Sequence, residues 1–384
     1  MRPAACSRAM SDEAKEDGMS ERLKALAAAG TSPWLDNIRR GWLRSGEFRS
    51  MVDDGIVGVT SNPTIFQKAI ADTSDYDETI HELAAAGVDA TEAFFRLAID
   101  DVGEAADQIR SVYDGTDHLD GFVSFELPPG LANDTAGSIE AARSFAGRIG
   151  RPNIFIKIPG TPEGVPAIEQ SIAAGINVNV TLLFSVERYT EIHEAFIRGL
   201  ERRHREGLPI DDVHSVASFF VSRVDTAIDA ALPADSPLRG RAAVANAKLA
   251  YQRFLEITGG DRWQTLAAAG ARVQRPLWAS TGTKNPAYSD VLYVDELIGP
   301  NCVNTMPEAT IAAFSDHGTV ARTVDADVDG ARAELAGIAA AGISLEQVTH
   351  QLELDGVKSF ADSFDSLVET IRGRMSEAAE RGAA

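Results

Sequence analysis

Eight short runs rich in β-branched and aromatic residues recur along this chain, and long alanine-rich amphipathic stretches follow most of them. The runs are Trp34–Ile38, Ile56–Thr60, Phe122–Leu127, Ile154–Ile158, Ile176–Leu183, Val213–Val221, Pro276–Ser280 and Cys302–Thr305. Helical spacing of apolar residues marks Thr91–Ser111, Ser138–Arg148, Pro162–Ala174, Ser185–Glu206 and Arg239–Ile257. Strands alternating with helices favour a parallel sheet whose helices lie outside it. Eight such units close naturally into a barrel, which leaves no open sheet edge. An open doubly wound sheet is the alternative, and it usually carries a glycine-rich phosphate loop after its first strand. No G-x-G-x-x-G or G-x-x-x-x-G-K-[ST] sequence occurs, and Gly30-Thr31-Ser32-Pro33 precedes a strand instead of following one.

The expectation is therefore an α/β chain, a (β/α)8 TIM barrel with extra helices after strand 2 and at the C-terminus. Thr64–Val112 holds two or three helices between the second and third strands. From Pro307 onward the pattern is mostly helical, with breaks expected at Gly318, Gly330 and Gly342. The last stripe, Val357, Phe360, Phe364, Leu367, Val368 and Ile371, has helical spacing and should pack on the body. No linker divides the chain, so residues 21–384 are expected to form one domain. Residues 1–20 read as a disordered tail, with Met10 or Met19 as alternative starts.

The chain carries 57 acidic and 36 basic residues, a net charge of −21. That balance argues against nucleic acid and anionic membranes as partners, since both call for basic patches. It leaves room for an anionic metabolite held by a few local cations. Two cysteines, Cys6 and Cys302, suggest a reducing compartment, hence a cytoplasmic location. No secretory leader or membrane-spanning run is evident. Seven histidines, among them His118 and His214, are scattered without a recognisable metal-ligand spacing, so the sequence leads one to expect no metal.

Lys157 sits in the middle of Ile154-Phe155-Ile156-Lys157-Ile158, a run that reads as a buried strand. Burying an ammonium is costly, so the lysine calls for a reason. It is either half of a buried ion pair or an amine able to attack a carbonyl. In a β/α barrel, chemistry belongs at the C-terminal ends of the strands. Asp36, Asn62, Glu126, Asn179, Thr181, Ser218, Arg223, Ser280 and Lys284 all fall at or near such ends. Each has an ordinary reading: Asp36 pairing with Arg39 or Arg40, Asn62 capping a helix that starts at Pro63, Arg223 pairing with Asp225. Their number is harder to explain that way, because polar groups converging on one end of a barrel cost stability. Asn177, Asn179 and Thr181 alternate and are expected on one face.

Gly55–Phe66 with its Thr60-Ser61-Asn62-Pro63 core, Asn153–Thr161, and Gly175–Ser185, in this order, closely resemble transaldolase. The resemblance runs from about Asp36 to Thr310, and the length is like that of the long bacterial branch. It implies a barrel enzyme that needs no cofactor. Such an enzyme moves a dihydroxyacetone unit between sugar phosphates in the pentose phosphate pathway through a Schiff base. On the resemblance, Lys157 is the Schiff-base lysine, Asp36 the acid/base and Glu126 the third-strand carboxylate. Thr181 holds a water with that carboxylate. Asn62, Asn179 and Ser218 contact substrate hydroxyls, and Arg223 and Ser280 contact phosphate. One position departs: many relatives have an arginine two residues after that serine. Here Gly282 stands in its place, and the next cation is Lys284. An aldolase that releases free dihydroxyacetone from fructose 6-phosphate and a catalytically silent barrel are the competing readings. Either a monomer or a homodimer is compatible with the sequence.

Overall fold

Eight parallel strands hydrogen-bond in sequence order into a closed barrel, β1 pairing with β2 and also with β8. The computed structural model describes residues 21–382; the expected tail, with Cys6 and the alternative starts, lies outside the described residues. The strands are β1 Thr31–Leu35, β2 Gly58–Thr60, β3 Phe122–Glu126, β4 Ile154–Pro159, β5 Val178–Leu183, β6 Ser215–Phe220, β7 Arg275–Ala279 and β8 Cys302–Met306. Every one of their residues is buried. That is why the runs read as continuously apolar instead of alternating with polar residues.

Helices form the outer ring. After α1 (residues 21–28) come α2 Arg40–Ser45, α3 Glu47–Asp53, α4 Pro63–Asp72, α5 Asp77–Ala85, α6 Ala90–Gln108 and α7 Arg110–Gly115. Then follow α8 Thr135–Ile149, α9 Gly164–Ala173, α10 Val186–Arg205, α11 Ser222–Ala231, α12 Ala242–Gly259 and α13 Asp261–Ala268. The chain ends with α14 Leu292–Asp295, α15 Glu308–His317, α16 Val328–Ala340 and α17 Leu345–Gly382. The extra helices expected after strand 2 and at the C-terminus are therefore present.

Three sequence expectations need correction. The first strand starts at Thr31 rather than Trp34, and Asp36 lies one residue past its end. Thr31–Leu35 pair residue for residue with Cys302–Met306. The polar Thr31 and Ser32 are tolerated because Thr31 Oγ1 donates to Gly299 O and Ser32 Oγ donates to Asp120 Oδ2. Asn177 falls outside β5; its side chain donates to Pro152 O and accepts from the His214 backbone N–H, so it does not share a site face with Asn179 and Thr181. Gly330 does not break the chain but sits in the first turn of α16, where the Asp327 carboxylate accepts from its N–H.

Close packing inside the barrel is set partly by Gly58. A Cβ there would lie 2.3 Å from Cε2 of the fully buried Trp34, so no larger residue fits without moving that ring. The 38-residue α17 packs on α4, α5 and α6, as its apolar stripe requires. Its Phe364 meets the Phe94 ring edge-on at 5.6 Å between centroids. Phe360, one turn earlier, reaches the C-terminal end of the barrel.

Candidate active site

The strand register brings the carboxylate and the amine together. Glu126, the last residue of β3, pairs in register with Lys157 on β4, and Lys157 with Asn179 on β5. Lys157 is 4 % exposed, and its ammonium donates to Glu126 Oε2 and to Ser61 O, both at 2.9 Å. So the ion-pair reading of Lys157 holds as geometry, and a nucleophilic role is compatible with it. Glu126 Oε1 and Thr181 Oγ1, also buried, have no protein partner among the described residues. Buried oxygens of this kind are normally satisfied, by ordered water where no protein group serves. Burial raises the Glu126 carboxyl above its ordinary value of 4.5, against the pull of the Lys157 charge and hydrogen bond.

Asp36 lies just beyond β1, and its backbone N–H still donates to Met306 O at 2.8 Å. Its carboxylate accepts from Thr60 Oγ1 at 2.7 Å, and Thr60 Oγ1 lies 2.6 Å from Thr305 Oγ1. Since Thr60 spends its proton on Asp36, Thr305 is the donor to Thr60. Three neighbouring strands thus fix one carboxylate. Burial raises the Asp36 carboxyl above 3.8, opposed by the Thr60 hydrogen bond and by the Lys157 and Arg223 charges. The pairing of Asp36 with Arg39 or Arg40 is not what the fold uses. Arg40 is buried against Asp101, Nε to Oδ1 2.7 Å, and Arg39 lies 3.9 Å from Glu308.

Asp36, Asn62, Lys157, Thr181, Ser218, Arg223, Ser280 and Lys284 all line one cleft of about 230 Å³. Asn62 caps α4, its Oδ1 accepting from Ile65 N at 3.0 Å, and Pro63 occupies the first helical position. That commits the amide oxygen and leaves the amide N–H end for a ligand. Ser218 Oγ donates to Asn179 Oδ1 at 2.7 Å, and Asn179 Nδ2 donates to Ser124 Oγ at 3.0 Å. Asn179 therefore lies behind the wall, holding Ser218, and is not itself part of the cleft surface. Glu126 likewise reaches the cleft through Lys157, lining an adjoining apolar pocket with Phe66, Phe94 and Phe95.

In the same cleft Arg223 occupies the first turn of α11, its guanidinium 5.1 Å from the Phe220 ring centroid. It does not pair with Asp225, whose carboxylate takes the Tyr293 hydroxyl and the Ala243 N–H. Ser280 has φ +57, a left-handed conformation that a non-glycine residue adopts only when its surroundings hold it. Its Oγ lies 3.0 Å from Ser222 Oγ, and its carbonyl accepts from Ser222 N. Ser280 and the Arg223 guanidinium line the same cleft, a hydroxyl and a cation that suit an anion. Lys284 is exposed at the rim. A Cβ at Gly282 would stand 3.7 Å from Lys284 Nζ, so this lysine occupies the space where a longer side chain at 282 would begin.

Sequence reasoning missed Thr60, Thr305 and Phe360 as wall residues. Thr60 stands in the Thr60-Ser61-Asn62-Pro63 motif, two residues before Asn62, and that parity was the available signal. Phe360 lies more than fifty residues beyond the last strand, so nothing local pointed to the cleft.

Residues 33–371 match the family model described as Transaldolase/Fructose-6-phosphate aldolase. The chain belongs to this family. A transaldolase of Parafrankia sp. strain EAN1pec is 47 % identical over 368 residues, covering 94 % of this chain and 100 % of that protein. Transaldolase 2 of Streptomyces coelicolor is 47 % identical over 364 residues, 93 % of this chain and 98 % of its own. A transaldolase of Mycolicibacterium paratuberculosis is 48 % identical over 366 residues, with 93 % and 98 % covered. The family match extends past β8 into α17, so the C-terminal helix that carries Phe360 is part of what the transaldolase family model spans. Among the described residues no helix is long and apolar enough to cross a membrane.

Proposed function

We propose that the protein is a transaldolase: it takes a dihydroxyacetone unit from a ketose phosphate and passes it to an aldose phosphate. The full reaction would convert sedoheptulose 7-phosphate and glyceraldehyde 3-phosphate to erythrose 4-phosphate and fructose 6-phosphate. The observation that carries this reading is the buried Lys157 amine, 2.9 Å from Glu126, opening on the same cleft as Asp36.

The unprotonated Lys157 Nζ attacks the ketose carbonyl carbon, forming a carbinolamine. Glu126, through a water shared with Thr181, gives the proton that lets hydroxide leave as water, and an iminium remains. The iminium then accepts the electron pair of the C3–C4 bond as Asp36 takes the proton from the C4 hydroxyl. The aldehyde departs, and a three-carbon enamine stays on the lysine. Attack of that enamine on the acceptor aldehyde, with Asp36 returning its proton to the new hydroxyl, runs the same steps backward. Asn62 and Ser218 orient the substrate hydroxyls, with Asn179 fixing Ser218, while Arg223, Ser280 and Lys284 hold the phosphate.

Transfer is favoured over release of free dihydroxyacetone because the full-length relatives at 46–48 % identity are named transaldolases. Borohydride trapping with fructose 6-phosphate, followed by intact mass, tests the lysine. Wild type should gain one reduced three-carbon adduct per chain, mapped to Lys157. Lys157→Ala should gain none, and Lys157→Arg should be equally inactive because a guanidinium stays protonated. An adduct of unchanged mass and yield in Lys157→Ala would overturn the assignment.

A further inference from the structure

Far from the cleft, at the N-terminal ends of the strands, two histidines distant in sequence come together around one carboxylate. His118 lies in the loop entering β3, and Asp212 and His214 lie in the loop entering β6. His118 Nδ1 is 2.9 Å from Asp212 Oδ1, and His214 Nε2 is 3.3 Å from the same oxygen. The three donor atoms all lie within 4.8 Å of one another. The two rings approach from different directions, 72° between their planes. This meeting corrects the reading of the histidines as merely scattered, because the barrel closes a spacing that the sequence leaves open.

We propose that His118, Asp212 and His214 bind a divalent transition-metal ion of the zinc class, which clasps the loop entering β3 to the loop entering β6. Donor type comes first. Two imidazoles and one carboxylate suit zinc and its neighbours, whereas magnesium and calcium prefer all-oxygen sets. Size comes second. Ligands about 2.1 Å from a tetrahedral zinc stand about 3.4 Å apart, so two of the three edges are already near that length. The ion takes the place of the ring protons now directed at Asp212, each ring keeping its proton on the other nitrogen. Asp212 is exposed and His118 half-buried, so water can complete the coordination from the open side.

The loops are held before any ion arrives. His118 stacks on Tyr113, 4.1 Å between centroids and 6° between planes. Tyr113 also directs its hydroxyl to Asp212 Oδ1 at 3.3 Å. Asp117, just before, pairs with Arg272 at 2.7 Å, and Arg272 in turn reaches Asp211 O at 3.4 Å. His214 is wedged against Phe122, 5.1 Å between centroids, and its backbone N–H donates to Asn177 Oδ1. A chain of net charge −21 adds a favourable field for any cation. Because the cluster lies at the end of the barrel opposite Lys157, an ion there would act on stability and not on turnover.

The full chain, free of affinity tag and treated with chelator, is titrated with zinc by calorimetry, and with cobalt(II) as an optical probe. One saturable zinc per chain is expected, with a visible cobalt band and no competition from millimolar magnesium. His118→Asn and Asp212→Asn should each weaken zinc binding at least tenfold. His317→Ala, which removes an exposed histidine set between Asp290 and Asp316, should leave it unchanged. Zinc at a hundredfold excess over its dissociation constant should raise Tm by about 2–5 °C in wild type and not in His118→Asn. Sugar-phosphate turnover should be the same with and without zinc. His118 has φ +61, a conformation asparagine tolerates, so His118→Asn decides the matter even if Asp212→Asn folds poorly. Absence of one-per-chain binding, or binding that survives His118→Asn, would show that the cluster is only a hydrogen-bonded clasp and overturn the proposal.

Discussion

Asp36 shows at the scale of one residue how function is set against stability. Burial favours its neutral form, yet the proposed C–C cleavage needs it ionised. The Thr305–Thr60 hydroxyl relay and two cations hold the charge in place at a net cost, because the carboxyl remains raised. A carboxyl raised in the folded state makes that state bind more protons than the unfolded chain. Stability therefore falls as pH climbs from the unfolded value near 3.8 through the folded one, and stays lower above it. Asp36→Asn removes that cost while keeping an oxygen for Thr60 to donate to. At pH 7 it should raise Tm, a gain that disappears below about pH 4, where both forms of the wild type are protonated. It should cut C–C cleavage by roughly 10²–10⁴-fold while still giving the borohydride-trapped imine. Calorimetry across pH with single-turnover cleavage checks both, and a lower Tm at neutral pH or a lost adduct would contradict the account. Asp36 was legible as a residue of the cleft from its place at a strand end, while its proposed acid/base role came from the family resemblance, since its frame alone read as readily as an arginine partner. Its Thr60 and Thr305 partners were not, since threonine in a strand is ordinary until the register is known.

Among the elements, β4 and β5 were legible to within two residues because runs buried on both faces have no competing pattern. The start of β1 was not: Gly30-Thr31-Ser32-Pro33 carries turn residues, and only pairing with β8 makes Thr31–Pro33 a strand. The C-terminal stripe announced that α17 packs, but not that it brings Phe360 to the cleft. That contact bears on the enamine, which must wait for an acceptor without meeting a stray proton. Phe360→Ala should leave imine formation near wild type and raise the ratio of free dihydroxyacetone released to unit transferred, by about three- to tenfold. Coupled assays of both products measure that ratio, and an unchanged ratio would deny α17 a role in sequestering the intermediate. The loop after β7 offers a second test. Gly282 has ordinary backbone, and a Cβ there meets Pro307 and Thr310 at 3.5 Å, an easy contact. Lys284→Ala should raise KM for phosphorylated substrates about three- to tenfold, and adding Gly282→Arg should restore it. Failure of the double variant to recover would mean that position 282 does not face the phosphate.

Across the whole molecule the acidic balance works against the substrates. With 57 acidic and 36 basic side chains, a phosphate dianion approaches a repulsive surface and must find a small attractive spot. In the proposed assignment that spot is Arg223, Ser280 and the exposed Lys284, which line the same cleft. The two effects separate by range. The Debye length shrinks from about 30 Å at 0.01 M salt to about 10 Å at 0.1 M, which screens the global repulsion, whereas a half-buried guanidinium touching phosphate is screened far less. kcat/KM for phosphorylated donors should therefore rise as salt increases over that interval, and the value for free dihydroxyacetone as donor should stay flat. Arg223→Ala should raise KM for phosphorylated donors about 10–100-fold, the worth of one charged hydrogen-bonded contact, with little change for the unphosphorylated donor. The variant should keep the same upward salt trend, because that trend belongs to the surface and not to the arginine. If instead Arg223→Ala impairs both donors equally, its place over Phe220 is structural and the phosphate is held elsewhere. If kcat/KM falls with salt in wild type, local attraction already dominates at long range and the net charge has no part in binding.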